Sequence, residues 1–235
     1  SPTSTPSITI SPVIEARSRG IEVISEIELA ARFLRCPLIA VTGTNGKTTT
    51  TSLIGSMFRK AGKAVFVGGN IGTPLIDALS EDRTPDYAVA EVSSFQLEAV
   101  VHFRPAVSVL LNITDDHLDR HPTFEEYARA KSNIFRRQRP PDTAILNYDD
   151  VQVRALAGDA AADVFFFSRE TALERGAFYD GMMHLRRAGS RRLEEVGEAR
   201  GAGDLAVDEA DLAGAVRPAD DDEVLQRELG RGAEA

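Results

Sequence analysis

The residues of this chain with the clearest chemical potential lie in the segment 42–49, Thr-Gly-Thr-Asn-Gly-Lys-Thr-Thr. Its glycines let backbone N–H groups turn toward an anion, Lys47 adds a positive charge, and the Thr48 hydroxyl is a ligand that Mg²⁺ accepts. The segment departs from the common pattern G-x-x-x-x-G-K-[ST], because Val41 replaces the first glycine. We predict a phosphate-binding loop. The alternative, from the loop alone, is a tight turn between a strand and a helix with a solvated lysine.

Other side chains could complete a metal site beside a bound phosphate. Glu91 ends an apolar segment, where phosphate-loop enzymes carry an acid that binds Mg²⁺ directly or through water; its alternative role is to cap the next helix. His117 lies among aspartates, which could orient the imidazole as a metal ligand; the alternative is a solvated turn. Lys131 is one of only four lysines in the chain, but by itself a lysine on a helix is usually a surface residue.

Alternating strands and helices are predicted to position these residues. The predicted apolar strands are 38–42, 64–67, 87–91, 106–111, 143–147 and 164–167. The predicted helices are 48–61, 74–79, one that begins at 95, and 123–135. Strands that are apolar along their whole length belong in a parallel sheet covered on both faces. We therefore predict an α/β fold with a doubly wound, mostly parallel sheet, in which the polar segments meet at the carboxyl ends of the strands.

The two ends of the chain carry weaker patterns. Near the N-terminus we predict a helix at 13–20, a strand at 21–24 and a helix at 25–34, with Ser25 and Glu28 at capping-box spacing. Toward the C-terminus, 177–185 is typical of a small hairpin with an Asp-Gly turn. Beyond about residue 190 the chain is acidic and lacks aromatic residues, so we expect a weakly ordered tail.

Composition excludes several classes of function. The formal net charge is -9 and the pI is about 5.0, which argues against a nucleic-acid partner held by bulk charge. The single cysteine allows no intramolecular disulfide, and no apolar stretch approaches the roughly 20 residues that span a bilayer. We expect a cytoplasmic protein without a membrane partner.

Four segments, taken in chain order, resemble those of the Mur ligases: the phosphate loop, 68–72, 91–97 and 112–119. The sequences Gly-Gly-Asn-Ile-Gly and Ser-Ser-Phe-Gln-Leu are most similar to those of the family member that acts on UDP-N-acetylmuramoyl-L-alanine and D-glutamate. The resemblance covers about residues 13–185 and is strongest between 37 and 150.

The resemblance implies an ATP-dependent amide ligase of peptidoglycan synthesis and cell-wall biogenesis. In such an enzyme ATP phosphorylates the carboxylate of UDP-N-acetylmuramoyl-L-alanine, and the amine of D-glutamate attacks the acyl phosphate. It implies that ATP is bound by Gly43, Thr44, Asn45, Gly46, Lys47, Thr48 and Thr49. It further implies that Thr48 and Glu91 serve one Mg²⁺, whereas His117 and a carbamylated Lys131 serve a second. Lys47, His117 and Lys131 are the implied catalytic residues, and Asn70 and Ser93 the implied contacts of the muramoyl substrate.

The resemblance also sets expectations for domains. Residues 1–36 are expected to be the remnant of an N-terminal uridine-nucleotide-binding domain with its linker, and 37–190 the central ATP-binding domain. Residues 191–235 are expected to be an atypical acidic tail, with the C-terminal ligase domain of the family absent. We expect a monomeric fragment that binds nucleotide weakly and does not complete the ligation. The alternative function is a nucleotide-binding module without ligase activity; folate polyglutamylation is disfavoured by the Ser-Ser-Phe-Gln sequence at 93–96.

Overall fold

The computed structural model of the chain describes residues 12–80, 84–114, 123–179, 182–186 and 194–195. His117 lies outside the described residues, as do the Asp180-Gly181 turn and most of the acidic tail. Within the described part the helices are α1 (Pro12–Ser18), α2 (Glu26–Phe33), α3 (Lys47–Lys60), α4 (Ser94–Glu98), α5 (Phe124–Ser132) and α6 (Val151–Leu156), with 3-10 turns at Leu75–Leu79 and Ala157–Asp159. The strands are β1 (Leu38–Thr42), β2 (Val65–Gly69), β3 (Tyr87–Glu91), β4 (Val107–Leu110), β5 (Thr143–Asn147), β6 (Asp163–Ser168), β7 (Gly176–Tyr179), β8 (Met183–Arg186) and β9 (Glu194–Glu195).

These strands form one sheet in the order β2-β3-β1-β4-β5-β6-β7-β8-β9. The pairs from β2 through β7 are parallel, whereas β8 pairs antiparallel with both β7 and β9. The predicted doubly wound, mostly parallel sheet with a C-terminal hairpin is confirmed. The sheet runs slightly further than predicted, because β9 lies beyond residue 190.

The inner strand β1 lies between β3 and β4, and all five of its residues are buried. Leu38 and Ala40 belong to one hydrophobic cluster, which includes residues of α2, α4 and α5. Ile39 and Val41 belong to a second cluster, which includes Phe58 of α3. Because successive side chains of a strand point to opposite faces, helices cover the sheet on both sides. This burial explains why β1 is apolar up to Thr42, and why the loop that follows it has a rigid base.

Helix α2 is part of this core. Its Ile27 and Ala30 are fully buried in the first cluster. The Glu26 carboxylate accepts a hydrogen bond of 2.6 Å from the backbone N–H of Ile76, which attaches α2 to the 3-10 turn after β2. The helix that precedes β1 is thus packed and hydrogen-bonded to the rest of the described fold.

A buried carboxylate provides the second attachment of α2. Glu28 is completely buried, and it accepts hydrogen bonds from the backbone N–H groups of Val101 and His102 at 3.0 Å each and from Arg32 at 2.9 Å. Burial opposes its ionisation, yet these donors and the nearby guanidinium outweigh that effect and hold the pKa of the Glu28 carboxyl below its ordinary value. Glu28 therefore remains charged in the folded chain.

Two sequence predictions about this region are wrong. The segment 21–24 forms no strand, because it runs over the surface beside no other strand and leaves Ile21 58% exposed. The capping box at the start of α2 does not form either. Ser25 precedes the helix but its side chain accepts no cap hydrogen bond. The Glu28 carboxylate accepts from the N–H groups of Val101 and His102, and the Ser25 N–H donates to the Ala99 carbonyl.

The sequence analysis also missed helix α6. Asp150 caps it by accepting hydrogen bonds from the N–H groups of Gln152 and Val153 at 2.9 and 3.1 Å. The other oxygen of the same carboxylate accepts a bond of 2.8 Å from the N–H of Ile113, just after β4. Asp150 therefore joins α6 to the segment that leaves β4 beside the phosphate loop.

Candidate phosphate and metal site

The predicted phosphate loop lies where β1 ends and α3 begins. Gly46 adopts the left-handed conformation with φ of 83°, and Lys47 is the first residue of the helix. The first helical hydrogen bond runs from Thr50 N–H to the Gly46 carbonyl, so the N–H groups of the first turn have no helical acceptor. No acidic residue lies in this first turn, and the positive end of the helix dipole is therefore open to an anion.

Three consecutive carbonyl oxygens of the loop accept hydrogen bonds from side chains. Gly43 O accepts from the ammonium of Lys131 at 2.8 Å. Thr44 O accepts from the ammonium of Lys47 at 2.9 Å, and Asn45 O accepts from the carboxamide of Asn112 at 3.0 Å. The loop is thus fixed by donors from α5, from α3 and from the segment after β4, and its carbonyl oxygens are turned toward these donors.

The predicted metal ligands Thr48 and Glu91 meet beside the loop. The Thr48 hydroxyl donates to Glu91 Oε2 at 2.7 Å, and the Asn70 amide donates to Glu91 Oε1 at 3.1 Å. Glu91 is only 2% exposed, and among the described residues it has no ion pair. A buried carboxylate without a countercharge is costly, so a cation placed beside Glu91 and Thr48 would be favourable.

The backbones of β2 and β3 pack closely together at the end of the sheet where Glu91 lies. Gly69 of β2 pairs with Glu91 of β3 in the parallel register. A Cβ atom at Gly69 would lie 2.3 Å from the Glu91 carbonyl oxygen, and its φ is 100°. Only glycine satisfies both requirements. This close approach brings Asn70, the next residue, to the Glu91 carboxylate.

The residues present fit a cation bound together with a phosphate. In the described part of the chain, no group of three or more His, Cys, Asp and Glu side chains could hold a metal ion by itself. Thr48 and Glu91 offer two hard oxygen ligands, and Mg²⁺ commonly takes only one or two protein ligands and fills the rest of its shell with phosphate oxygens and water. The geometry is therefore suited to a nucleotide-dependent cation.

Lys131 is buried at this site, not exposed on the surface of α5. It is 2% exposed, and its ammonium lies 4.6 Å from the ring centroid of Tyr127 as well as against the Gly43 carbonyl. The Tyr127 hydroxyl lies 3.2 Å from the Thr44 hydroxyl, which in turn accepts a bond of 3.0 Å from the N–H of Thr114. This burial excludes the alternative that Lys131 is an ordinary surface lysine.

In the structure Ser93 contacts its own helix and not the phosphate loop. Ser93 caps α4: its hydroxyl accepts from Gln96 N–H at 3.3 Å and lies 3.1 Å from Gln96 Oε1, while Ser93 N–H donates to that same oxygen. The predicted substrate contact is thus engaged in a local capping box. His117 lies outside the described residues, so its place at the site stays a prediction.

The sequence analysis gave no role to Asn112 or Tyr127, although both contact the phosphate loop. Tyr127 precedes Lys131 by four residues on one helix, and residues with this spacing share a helix face. This spacing was a usable signal. Asn112 follows β4, which pairs directly with β1, so strand order would have been needed to place it.

A doubly wound, mostly parallel sheet, with a phosphate loop after an inner strand and a buried acid at the end of the neighbouring strand, defines a phosphate-loop α/β domain. No helix in the described ranges is long and apolar enough to cross a bilayer. Residues 41–191 match the family description Mur ligase middle domain. This match includes more than half of the chain, and the chain therefore belongs to the Mur ligase family.

Similar proteins that share one name support the assignment to this family. The UDP-N-acetylmuramoylalanine--D-glutamate ligase of Caldanaerobacter subterraneus subsp. tengcongensis is 51% identical over 185 residues, which cover 78% of this chain and 41% of that protein. The protein of the same name from Geotalea uraniireducens is 54% identical over 170 residues, covering 72% of this chain and 38% of the relative. The chain spans about two fifths of the length of these relatives.

Solved structures share the fold. MurF from Acinetobacter baumannii matches with a TM-score of 0.53 and 22% identity, over 74% of this chain and 41% of that one. MurF ligase from Thermotoga maritima in complex with ADP matches with a TM-score of 0.51 and 22% identity, over 74% and 43% of the two chains. At these identities the likeness concerns the fold alone.

Proposed function

We propose that this chain is the ATP-binding part of an ATP-dependent amide ligase that joins D-glutamate to UDP-N-acetylmuramoyl-L-alanine. Relatives with this named activity are about half identical to the chain over most of its length. The observation that carries the proposal is the Thr48–Glu91 pair, 2.7 Å apart at the open N-terminus of α3. A hydroxyl and a buried carboxylate next to each other are ligands that a nucleotide-bound cation takes, which supports the proposal.

The phosphates of ATP are proposed to bind along the loop from Gly43 to Thr49. The N–H groups at the start of α3 face the anion, and Lys47 is close enough to leave the Thr44 carbonyl for a β- or γ-phosphate oxygen. The Thermotoga maritima MurF structure, which contains ADP, shares this fold. Lys47 is therefore the proposed phosphate-binding cation of the loop.

Two Mg²⁺ ions are proposed for the complete site. Thr48 and Glu91 would hold one of them, and His117 with a carbamylated Lys131 the other. Carbamylation replaces the ammonium of Lys131 with an anionic group on the same nitrogen, which fits a metal ligand close to the phosphate loop. When bound, the metal ions neutralise the charge of the phosphates and of the approaching carboxylate.

The reaction requires two anions to approach each other. A carboxylate oxygen of the muramoyl-alanine attacks the γ-phosphorus, and ADP leaves with the bond electrons. The amine of D-glutamate then attacks the acyl carbon, phosphate leaves and the amine loses a proton. Lys47 and the N–H groups of α3 orient the triphosphate, while Glu91 holds its position through Thr48 and Asn70. Positioning and charge compensation are thus the contributions of this chain.

Asn70 and Ser93 are the proposed contacts of the muramoyl substrate. The Asn70 amide uses one donor on Glu91, which leaves its carbonyl oxygen and a second N–H for a ligand at the same edge. Ser93 is the N-cap of α4 and follows the end of β3 at Glu91 by two residues, so it lies at the same edge of the sheet although its hydroxyl contacts Gln96. Asn70 is the better supported of the two.

The remaining parts of the proposal concern context. We propose a monomer that works in the cytoplasm, with UDP-N-acetylmuramoyl-L-alanine and D-glutamate as its partners and with neither nucleic acid nor membrane. Residues 1–36 and 191–235 are proposed to flank the central ATP-binding domain, 37–190. Analytical ultracentrifugation of the 235-residue chain tests the oligomeric state.

The test of function measures ADP release by the 235-residue chain with ATP and Mg²⁺, with and without UDP-N-acetylmuramoyl-L-alanine and D-glutamate. Binding of ADP with Mg²⁺ by calorimetry is measured in parallel on wild type and Lys47→Ala. We expect saturable ADP binding that Lys47→Ala abolishes, and any ADP release to require the muramoyl substrate. Phosphate release that ignores this substrate would favour a nucleotide-binding module instead, and no binding of ADP would refute the proposal.

A further inference from the structure

The backbone ladder between β1 and β4 continues past the ends of both strands. Leu111 N–H donates to the Thr42 carbonyl at 3.0 Å, and Thr44 N–H donates to the Asn112 carbonyl at 2.9 Å. These bonds carry the parallel pairing into the phosphate loop. At Asn45 the backbone of the neighbouring segment no longer supplies a partner, and a side chain takes its place.

The side chain of Asn112 makes one accepted and one donated bond, as the backbone groups of a neighbouring strand would do. Its carbonyl oxygen Oδ1 accepts from Asn45 N–H at 2.8 Å, and its Nδ2 donates to the Asn45 carbonyl at 3.0 Å. The two bonds restrain the peptide units on either side of the Asn45 Cα atom. Asn45 itself is exposed, so the carboxamide, and not burial, holds it in place.

This arrangement determines which N–H groups of the loop can meet a phosphate. The N–H groups of Thr44 and Asn45 are both engaged by Asn112. Gly46 then turns with a φ of 83°, and the N–H groups of the first turn of α3 follow without helical acceptors. A change at Asn45 would move the start of this turn and the direction of every N–H group after it.

We propose that Asn112 is a positioning residue for nucleotide binding. Its carboxamide continues the hydrogen bonding between β1 and β4 by one residue and so fixes the conformation of the phosphate loop before a ligand binds. The N–H groups from Gly46 onward are left for the anion. The inference rests on the proposed function, since it assumes that the loop binds a phosphate. Asn112 acts through Asn45 and touches no phosphate itself.

Asn147 offers a matched control. Its Nδ2 donates to the carbonyl of Leu111 at 2.8 Å, and its Oδ1 accepts from Asp149 N–H at 3.0 Å. The side chain of Asn147 therefore also donates one bond and accepts one bond. Its donor contacts Leu111, the residue before Asn112, and neither bond involves the phosphate loop. Replacing either asparagine with leucine removes two bonds at similar side-chain volume, and only one of the changes touches the loop.

The experiment compares wild type, Asn112→Leu and Asn147→Leu in the 235-residue chain. Calorimetry measures the affinity for ADP with Mg²⁺ and for pyrophosphate, thermal unfolding without ligand measures stability, and amide hydrogen exchange follows Asn45. We expect both variants to lose similar stability. Asn112→Leu alone should weaken ADP binding about tenfold or more, and speed exchange of the Asn45 amide by a similar factor. If Asn112→Leu does not fold, Asn112→Ser, whose hydroxyl is too short to reach Asn45, takes its place and should show the same loss of ADP affinity.

The possible outcomes distinguish failure of the inference about Asn112 from failure of the proposed function. A wild-type chain that binds ADP together with an Asn112→Leu chain that binds it equally well would overturn the inference alone. An unchanged exchange rate at Asn45 in that variant would do the same. Equal losses of affinity in Asn112→Leu and Asn147→Leu would show a general structural role and also overturn it. A wild-type chain that binds neither ADP nor pyrophosphate would overturn the proposed function and the inference together.

Discussion

The ammonium of Lys131 donates a hydrogen bond of 2.8 Å to the carbonyl oxygen of Gly43, which lies 88 positions earlier in the chain. This contact joins α5 to the first glycine of the phosphate loop. Lys131 is 2% exposed, so its nitrogen contacts the site and not solvent. A chemical change on that nitrogen would therefore act directly at the loop.

The first prediction concerns the carbamate on Lys131. An amine can add CO₂, whereas the guanidinium of an arginine cannot. Native mass spectrometry in bicarbonate should show one added CO₂ on the wild-type chain and none on Lys131→Arg. Lys60→Arg, at an exposed position of α3, should retain the adduct. A wild-type mass that does not respond to bicarbonate would count against the second metal site as proposed.

The second prediction concerns the charge of Glu91. Glu91→Gln keeps the shape of the side chain and an acceptor for Thr48 but removes the negative charge that a cation would use. We expect the Mg²⁺-dependent gain in ADP affinity to fall about tenfold or more, while stability without nucleotide is unchanged or higher, because a buried unpaired charge is removed. Calorimetry with and without Mg²⁺ measures the first quantity and thermal unfolding the second. Glu170→Gln, an exposed carboxylate after β6, is the control and should change neither.

The third prediction concerns pH. The folded pKa of Glu28 is lowered, so its stabilising contribution is fully present above the ordinary glutamate pKa of about 4.3 and is lost as pH falls through the lower folded value. Glu28→Gln should cost about 2 kcal/mol of unfolding free energy at neutral pH, and the difference from wild type should shrink below about pH 4. Urea unfolding across pH measures this.

Glu22 is the matched control for Glu28, because both carboxylates bond to Arg32. The Glu22 side chain is 51% exposed, whereas that of Glu28 is fully buried. Glu22→Gln should therefore cost less than about 1 kcal/mol, as exposed ion pairs usually do. Equal losses for the two variants would mean that Arg32, and not the buried N–H groups of Val101 and His102, supplies the stability.

The fourth prediction orders three glycine substitutions by steric cost. Gly158→Ala meets no atom within 4 Å and should change the free energy of unfolding little. Gly62→Ala also has open space, but its φ is 74°, so it should cost about 1 kcal/mol. Gly69→Ala combines a φ of 100° with a clash against the Glu91 carbonyl at 2.3 Å and should cost most. Chemical unfolding gives the order, and a Gly69→Ala chain as stable as Gly62→Ala would contradict it.

The sequence predicted the parts of the fold whose signal is local. β1, β3 and β5 were located to the residue, because strands of a covered parallel sheet are apolar and end abruptly in polar turns. The segment 21–24, Ile-Glu-Val-Ile, is also rich in β-branched residues, but it pairs with no strand in the described part of the chain. Whether a segment pairs with another strand cannot be predicted from that segment alone. Helix α6 was missed because its six residues carry too short an apolar pattern, although Asp150 is a good N-cap.

The candidate site divides in the same way. The phosphate loop and Glu91 could be predicted from residue type and position at strand ends. Lys131 could not, because nothing about an isolated helix lysine reveals its burial, and only the family resemblance singled it out. The contacts of Asn112 with Asn45 and of Tyr127 with Thr44 span 67 and 83 positions, so they depend on strand order and helix packing that local pattern does not contain.

The three carbonyl contacts of the phosphate loop have a consequence for the chain as it is synthesised. Gly43 and Asn45 receive their donors from Lys131 and Asn112, which leave the ribosome long after the loop itself. A nascent chain that contains β1 and α3 but has not reached Asn112 lacks both restraints, and one that has not reached α5 still lacks the donor of Gly43. We therefore expect the loop to adopt its observed conformation only after α5 has been synthesised and has packed against the sheet.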